Sequence, residues 1–220
     1  MARRTKEDAE KTRETLLTAA AEVFLQRGVA RASLEEIARA AGLTRGAVYW
    51  HFQDKLDLFW ALNDRARTPH ADMLAELVSR LGEGSDLDPL VELEGAVQAA
   101  FVSIENDDEQ RRLLTILLMR CEYVAEMELA FNGQREADAL LQSSLIQIFN
   151  RAATCGCLAA TWRAEDAALA CFLLITGLVQ AWLRTPNKIG LAKEGGILMH
   201  AFIGSMRSGA GRTSSPAAMT

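Results

Sequence analysis

The sequence predicts an all-α protein in two parts, a small N-terminal three-helix domain and a larger helical body. Three observations carry that reading: leucine and alanine dominate, only four prolines interrupt 220 residues, and alternating runs of β-branched residues are missing. Half of the residues are hydrophobic, enough at this length to bury a sizeable core.

The first twelve residues are polar and read as a loose arm. From Lys11 to Arg27 the positions Leu16, Leu17, Ala20, Val23 and Phe24 recur at helical spacing, and Gly28 follows as a stop. Ser33 precedes Leu34, with Glu36 three places on, which is the capping-box pattern. Leu34, Ile37, Ala38 and Ala41 then form the inner stripe of a short second helix that Gly42 ends. Thr44 can cap a third helix running to about His51, and Asp54 a fourth that is predicted to stop before Pro69.

Further helices are expected at about 70–81, 89–105, 109–121, 123–131, 134–154, 165–184 and 191–206. The breaks are signalled by Gly82-Glu83-Gly84-Ser85, Asn106-Asp107-Asp108, Gly156 and Pro186-Asn187. The small, polar tail from 208 to 220 is expected to be disordered. The domains are therefore placed at 1–55, with a helix-turn-helix at about 33–52, and at 56–207.

The formal net charge of −5 argues against a nucleic-acid partner until its distribution is examined. Residues 1–55 hold ten Lys and Arg against eight Asp and Glu, a balance of +2 that leaves −7 for the rest. A mildly basic head on an acidic body fits a DNA-binding module attached to a domain that does not touch DNA. Two short helices joined by a tight glycine-containing turn are also the arrangement that lays its second helix in the DNA major groove.

Cys121, Cys155, Cys157 and Cys171 sit in helical, apolar contexts, and the start, MARRTKEDAEKT, is charged throughout rather than leader-like. This predicts a reducing, cytoplasmic setting. Cys155-Gly156-Cys157 could be half of a metal or redox site; with nearby histidines and a second cysteine pair missing, ordinary thiols near a helix end and no metal are expected. The apolar run Ala167 to Leu183 falls a little short of a membrane span and contains Thr176 and Gln180. It is read as a helix buried by its own domain and a second subunit, with no membrane partner.

The stretch Thr44 to Phe52, TRGAVYWHF, holds the chemistry of the head. Thr44 offers a hydroxyl at a helix start, suited to a phosphate. Arg45 has the planar fork that matches guanine O6 and N7, and Gly46 lets backbone approach a groove floor. Ala47, Val48 and Phe52 can hold the helix to Leu34, Ile37 and Phe24, although Ala47 could instead touch a thymine methyl. Tyr49, Trp50 and His51 are compact donors for phosphate oxygens, with Lys55 a cation at the same edge. Aromatics in a helical protein also serve as core, but three in succession cannot all face one core, because each helix position turns by about 100°.

The pattern from Ser33 through Leu43-Thr44-Arg45-Gly46-Ala47-Val48-Tyr49-Trp50-His51-Phe52 to Lys55 resembles the DNA-binding domain of the TetR family of transcriptional regulators. The start, MARRTKEDAEKTR, and the Tyr-Trp-His-Phe run are similar to its AcrR-type branch, repressors of multidrug efflux pump operons. The resemblance covers about residues 1–65, with further likeness at Arg111 to Tyr123 and Phe172 to Trp182. It implies a homodimer bound to double-stranded operator DNA, each subunit carrying a three-helix head and a helical ligand-binding and dimerisation body. Thr44, Tyr49, His51 and Lys55 would contact phosphates and Arg45 and Gly46 bases, with Ser33 and the arm around Arg3, Arg4 and Lys6 adding backbone contacts.

The same resemblance points to a sensing pocket lined by Val97, Ala100, Leu114, Leu118, Leu141, Leu145, Phe172, Ile175, Thr176, Val179 and Gln180, each of which could equally be plain core. Where relatives place charged or amide groups, Leu114, Leu118, Thr176 and Gln180 stand here, so a small hydrophobic or aromatic effector is expected. Dimerisation would use the helix at 165–184 and the one carrying Ile197, Leu198, Phe202 and Ile203.

No cofactor is implied. An enzyme would need a nucleophile and base, yet His51, His70 and His200 are scattered and the acidic residues lie on solvated faces. A DNA-binding protein without sensing, an activator, and a regulator of metabolic genes remain alternatives.

Overall fold

The computed structural model describes residues 2–121, 128–186 and 188–209. In chain order the helices are α1 (Ala2–Arg27), α2 (Leu34–Ala40), α3 (Arg45–His51), α4 (Lys55–Arg80), α5 (Pro89–Asn106), α6 (Asp108–Met119), α7 (Glu128–Thr154), α8 (Ala164–Arg184) and α9 (Gly196–Met206), with a π-helical turn at Leu191–Gly195 before α9. Among the described residues there is no strand beyond an isolated bridge between Leu158 and Arg207.

The chain forms two compact units, Met1–Pro69 with Asp107–Ala137 and His70–Asn106 with Asp138–Thr220. In the first, α1 packs on α2 and α6, and α2 on α3. Leu16, Leu17, Ala20 and Phe24 of α1, Ile37 of α2, Val48 of α3, Phe52, and Leu58, Phe59 and Leu62 of α4 make one buried cluster with Leu113 and Ile116 of α6. A backbone bond from Val29 N–H to Arg120 O at 3.0 Å ties the end of α6 beside the turn after α1. The core of the first unit thus joins α1, α2 and α3 to the start of α4 and to α6.

In the second unit α5 packs on α9 and the π-helical turn, both of which also meet α8. Its core holds Leu93, Phe101, Leu145, Phe149, Cys171, Trp182, Met199 and Ile203. Helix α8 is long and apolar enough to cross a membrane by length and composition. It buries one face here, Ala167, Ala168, Cys171, Phe172, Leu178, Val179 and Trp182, and leaves Leu169 and Leu173 exposed.

Several expected boundaries are corrected. The N-terminal arm is helical from Ala2, because its Lys, Arg, Glu and Ala residues are good helix formers even without an apolar stripe. The fourth helix continues through Pro69 to Arg80. Pro69 lacks the N–H that would meet the Arg65 carbonyl, at a typical cost of ~3 kcal/mol. That is outweighed by burial on both sides of it, with Leu58, Phe59, Leu62 and Ala66 before and Leu74 and Leu77 after. Residues 132–133, the gap between the helices expected at 123–131 and 134–154, lie inside α7, since the interior Gly133 costs only ~1 kcal/mol. Most of the helix expected at 123–131 and the tail from 210 lie outside the described residues.

The segment 191–206 is not one regular helix. The Glu105 carboxylate accepts the N–H groups of Leu191 at 3.0 Å and Ala192 at 2.9 Å, and Gln98 Nε2 donates to the Ala192 carbonyl at 3.0 Å. A Cβ at Gly196 would lie 2.1 Å from Gln98 Oε1, so the absence of a side chain permits this close approach.

Candidate nucleic-acid interface

The site is built from two capped helices and the turn between them. Ser33 Oγ accepts the Glu36 N–H at 3.2 Å while the Glu36 carboxylate accepts the Ser33 N–H at 3.1 Å, closing the capping box. Helix α2 ends at Gly42, whose φ of +67° suits glycine. There the Leu43 N–H donates to the Ala38 carbonyl at 2.9 Å, which turns the chain directly into α3. Thr44 Oγ1 caps α3 by accepting the Ala47 N–H at 3.2 Å.

One face of α3 is core. Val48 is fully buried and Phe52 nearly so, in the cluster that contains Ile37 and Phe24, with Leu34 packed against it. The opposite face is open: Thr44, Arg45, Gly46, Tyr49 and Trp50 are all exposed, Trp50 to 72%. His51 is half-buried, its ring edge-on to Trp50 at 4.5 Å. The three aromatics thus divide as the 100° step requires, two outward and one at the margin.

Arg45 is held in place. Its Nη1 lies 2.5 Å from Glu35 Oε1, its Nη2 donates to the Tyr49 hydroxyl at 3.1 Å, and its guanidinium stands 5.4 Å from the Tyr49 ring centre. The Tyr49 hydroxyl first and the Glu35 carboxylate after it raise the guanidinium's pKa above its ordinary value. Partial burial, then the charge of Arg13, lowers that of His51. At neutral pH His51 is therefore an uncharged ring with one N–H to donate.

Gly46 has open space where a side chain would stand, with Thr44 Oγ1 the nearest atom at 3.9 Å. Lys55 is half-buried, and its ammonium donates to the Ala30 carbonyl at 2.7 Å and the Ala32 carbonyl at 3.1 Å. It fastens the α1–α2 turn to α4 and keeps one N–H beyond those bonds. The Ser33 hydroxyl is likewise engaged in its cap. The side chains of Arg3 and Arg4 lie outside the described residues, and Lys6 is exposed.

Sequence reasoning missed Glu35 as the partner of Arg45. Ten positions apart, the two follow no helical period; the turn at Gly42 brings the first turns of α2 and α3 side by side.

The residues expected around an effector fall in both units. Val97, Leu145, Phe172 and Val179 are buried and Ala100, Leu141, Ile175, Thr176 and Gln180 half-buried in the second unit. Thr176 Oγ1 donates to the Phe172 carbonyl at 2.6 Å, and Gln180 Oε1 accepts from Arg184 at 3.1 Å. Leu114 and Leu118 are half-buried on α6 in the first unit, Leu118 against its core. A cleft of about 310 Å³ in the first unit, walled by Leu17, Leu25, Leu62, Arg65 and Leu113, contains none of the expected positions.

Comparison with known proteins adds a lineage to this geometry. The family model described as bacterial regulatory proteins, tetR family, matches residues 16–62, and that of the MAATS-type transcriptional repressor C-terminal region matches 88–207. The chain is 37% identical over 206 residues to the HTH-type transcriptional repressor BepR of Brucella suis biovar 1, covering 94% of this chain and 97% of that protein. To the HTH-type transcriptional regulator TtgR of Pseudomonas putida it is 37% identical over 193 residues, 87% and 89% of the two chains. The crystal structure of NalD, the secondary repressor of the MexAB-OprM multidrug efflux pump in Pseudomonas aeruginosa, superposes with a TM-score of 0.82 at 36% identity, covering 92% of this chain and 99% of NalD. A SmeT–triclosan complex follows at a TM-score of 0.81 and 25% identity, covering 95% and 100%.

Proposed function

The chain belongs to the TetR family of bacterial regulatory proteins, DNA-binding regulators rather than enzymes, and from that premise we propose that it is a homodimeric cytoplasmic repressor of a multidrug efflux pump operon. It holds a palindromic operator and leaves it when a hydrophobic or aromatic compound binds the body. The observation that carries the reading is the exposed edge of α3, where Thr44, Arg45, Gly46, Tyr49 and Trp50 stand outward while Val48 and Phe52 anchor the helix. Arg45 reads a guanine edge through its fork, and Thr44, Tyr49, Trp50 and His51 donate to phosphates. Lys55 has one N–H left for a phosphate, and Ser33 contributes mainly through the cap that orients α2.

One seven-residue helix reads too few bases for tight binding, so two heads must engage successive major-groove faces about 34 Å apart. Support for a dimer comes from the apolar residues exposed on α8 and α9, Leu169 and Leu173 with Ile197 and Leu198. The proposed effector site in the body is formed by Val97, Ala100, Leu141, Leu145, Phe172, Ile175, Thr176, Val179 and Gln180. Its apolar majority favours neutral aromatic compounds. Helix α4, which runs unbroken from the head into the body, carries the response; a ligand that prefers a body conformation with misplaced heads releases DNA with a coupling of about 1 to 3 kcal/mol.

The test is anisotropy of labelled DNA from just upstream of the protein's own gene, with and without hydrophobic antimicrobials and plant phenolics. A compound that lifts the apparent Kd roughly five-fold or more supports the reading. Tight binding unchanged by every compound removes the effector claim, and equal binding to an unrelated duplex removes the operator claim.

A further inference from the structure

The C-terminal end of α7 closes on Gly156, whose φ is +75°. The Gly156 N–H donates to the Ala153 carbonyl at 3.1 Å and the Cys157 N–H to the Ala152 carbonyl at 2.9 Å, the pair of bonds that defines a Schellman cap. This cap folds the residues on either side of the glycine back toward each other. Both are cysteines, and their Sγ atoms lie 2.8 Å apart in a thiol–thiol hydrogen bond.

The turn is also fixed from outside. Ser208 N–H donates to the Cys157 carbonyl at 2.9 Å, Ala159 N–H to the Met206 carbonyl at 2.8 Å, and the Ser208 hydroxyl to the Gly156 carbonyl. Arg207 pairs with Asp88 beside it. Two sulfurs held by backbone bonds at this separation need little chain movement to bond. Of the four thiols only Cys155 is exposed; Cys157 and Cys121 are half-buried and Cys171 is buried.

We propose that Cys155 and Cys157 are a reversible dithiol–disulfide site, oxidised by hydroperoxides and restored by thiol reductants. This goes beyond the DNA-binding reading and does not rest on it. The Cys155 thiolate, the exposed sulfur, attacks one peroxide oxygen; the O–O bond breaks, and the departing hydroxide or alkoxide takes up a proton, leaving a sulfenic acid on Cys155. Cys157 then attacks the Cys155 sulfur, the S–S bond forms, the S–O bond breaks, and the hydroxide leaves as water with the Cys157 proton. Two electrons pass to the peroxide, and two thiols and one hydroperoxide give one disulfide, one water and one further water or alcohol.

The order of attack follows from the environment. The Cys157 thiol is pushed up to about 11, chiefly by its hydrogen bond with Cys155, then by burial and the Asp88 carboxylate. It stays protonated at neutral pH until the sulfenic acid forms beside it. Burial pushes Cys171 up to about 12 and raises Cys121 as well, which suits neither for the first step.

The experiment treats the reduced full-length protein with a small excess of hydrogen peroxide, denatures it, alkylates free thiols and counts them by intact mass and peptide mapping. The expected result is a fall from the four cysteines of the chain to two labelled, with the bond inside the peptide containing 155 and 157. Dithiothreitol then restores four. Cys157→Ser should stop at a dimedone-reactive sulfenic acid on Cys155, and Cys155→Ser should keep its remaining thiols labelled. Four labelled thiols after peroxide, a bond between chains, a bond involving Cys121 or Cys171, or direct conversion of Cys155 to sulfonic acid would each overturn the proposal.

Discussion

Gly46 sits inside the short helix α3, where glycine costs stability, with open space where a side chain would stand. Packing gives no reason for it. Replacing it with alanine should therefore stabilise the protein by up to ~1 kcal/mol in urea unfolding. The same substitution should weaken operator binding, because the added methyl stands between α3 and the groove. Stabilisation without loss of binding would mean that Gly46 does not face DNA. Arg45 gives the complementary case, since its Glu35 and Tyr49 partners are exposed and worth little to stability. Arg45→Ala should leave the unfolding midpoint nearly unchanged and cost about 1 to 3 kcal/mol of discrimination at one base pair.

His51 supplies a pH signature. Burial, then Arg13, holds its folded pKa below the ordinary value near 6.5, so on acidification the unfolded chain takes up the proton first. The contribution of His51 to stability should thus be constant above about pH 6.5 and fall as pH drops through the depressed folded value. Urea titrations at pH 7.5 and 5.5 should show a smaller acid loss in His51→Gln than in the parent; equal losses would refute this.

The elements of the head were legible because local chemistry dictates them. The capping box at Ser33 and Glu36, the stop at Gly42 and the cap at Thr44 each recur in the structure with their expected hydrogen bonds. What the sequence did not disclose was set by packing between distant segments. The unbroken α4 depends on burial on both sides of Pro69, and the π-helical turn depends on Glu105 and Gln98, both remote in sequence. The outward face of α3 could be read from its 100° step, whereas the latch from Arg45 to Glu35 required knowing how α2 and α3 lie together. Pro69 yields an element-level prediction: Pro69→Ala restores the N–H that meets the Arg65 carbonyl and should raise stability by roughly 1 to 3 kcal/mol. If α4 transmits the effector signal, that variant should also shift the effector concentration needed for DNA release; an unchanged midpoint would place transmission elsewhere.

For the chain as a whole, the proposed DNA contact depends on where its charges lie. Residues 1–55 sum to +2 and the remainder to −7, so the local charge balance around α1 to α3 favours a phosphate backbone more than the net charge of the chain does. The apolar residues Leu169, Leu173, Ile197 and Leu198 are exposed in the single chain, and a charged replacement at Leu173 is expected to give monomers in analytical ultracentrifugation. Monomers should bind operator DNA far more weakly, because each head contributes only half of the contacts.

Whether the exposed edge of α3 reads an operator is decided by the anisotropy of the upstream duplex and of a scrambled duplex titrated with parent protein and with Arg45→Ala at two salt concentrations. The parent should prefer the upstream duplex, Arg45→Ala should lose roughly ten-fold or more of that preference, and both proteins should bind less tightly at higher salt. An Arg45→Ala protein that kept the full preference of the parent would contradict that reading.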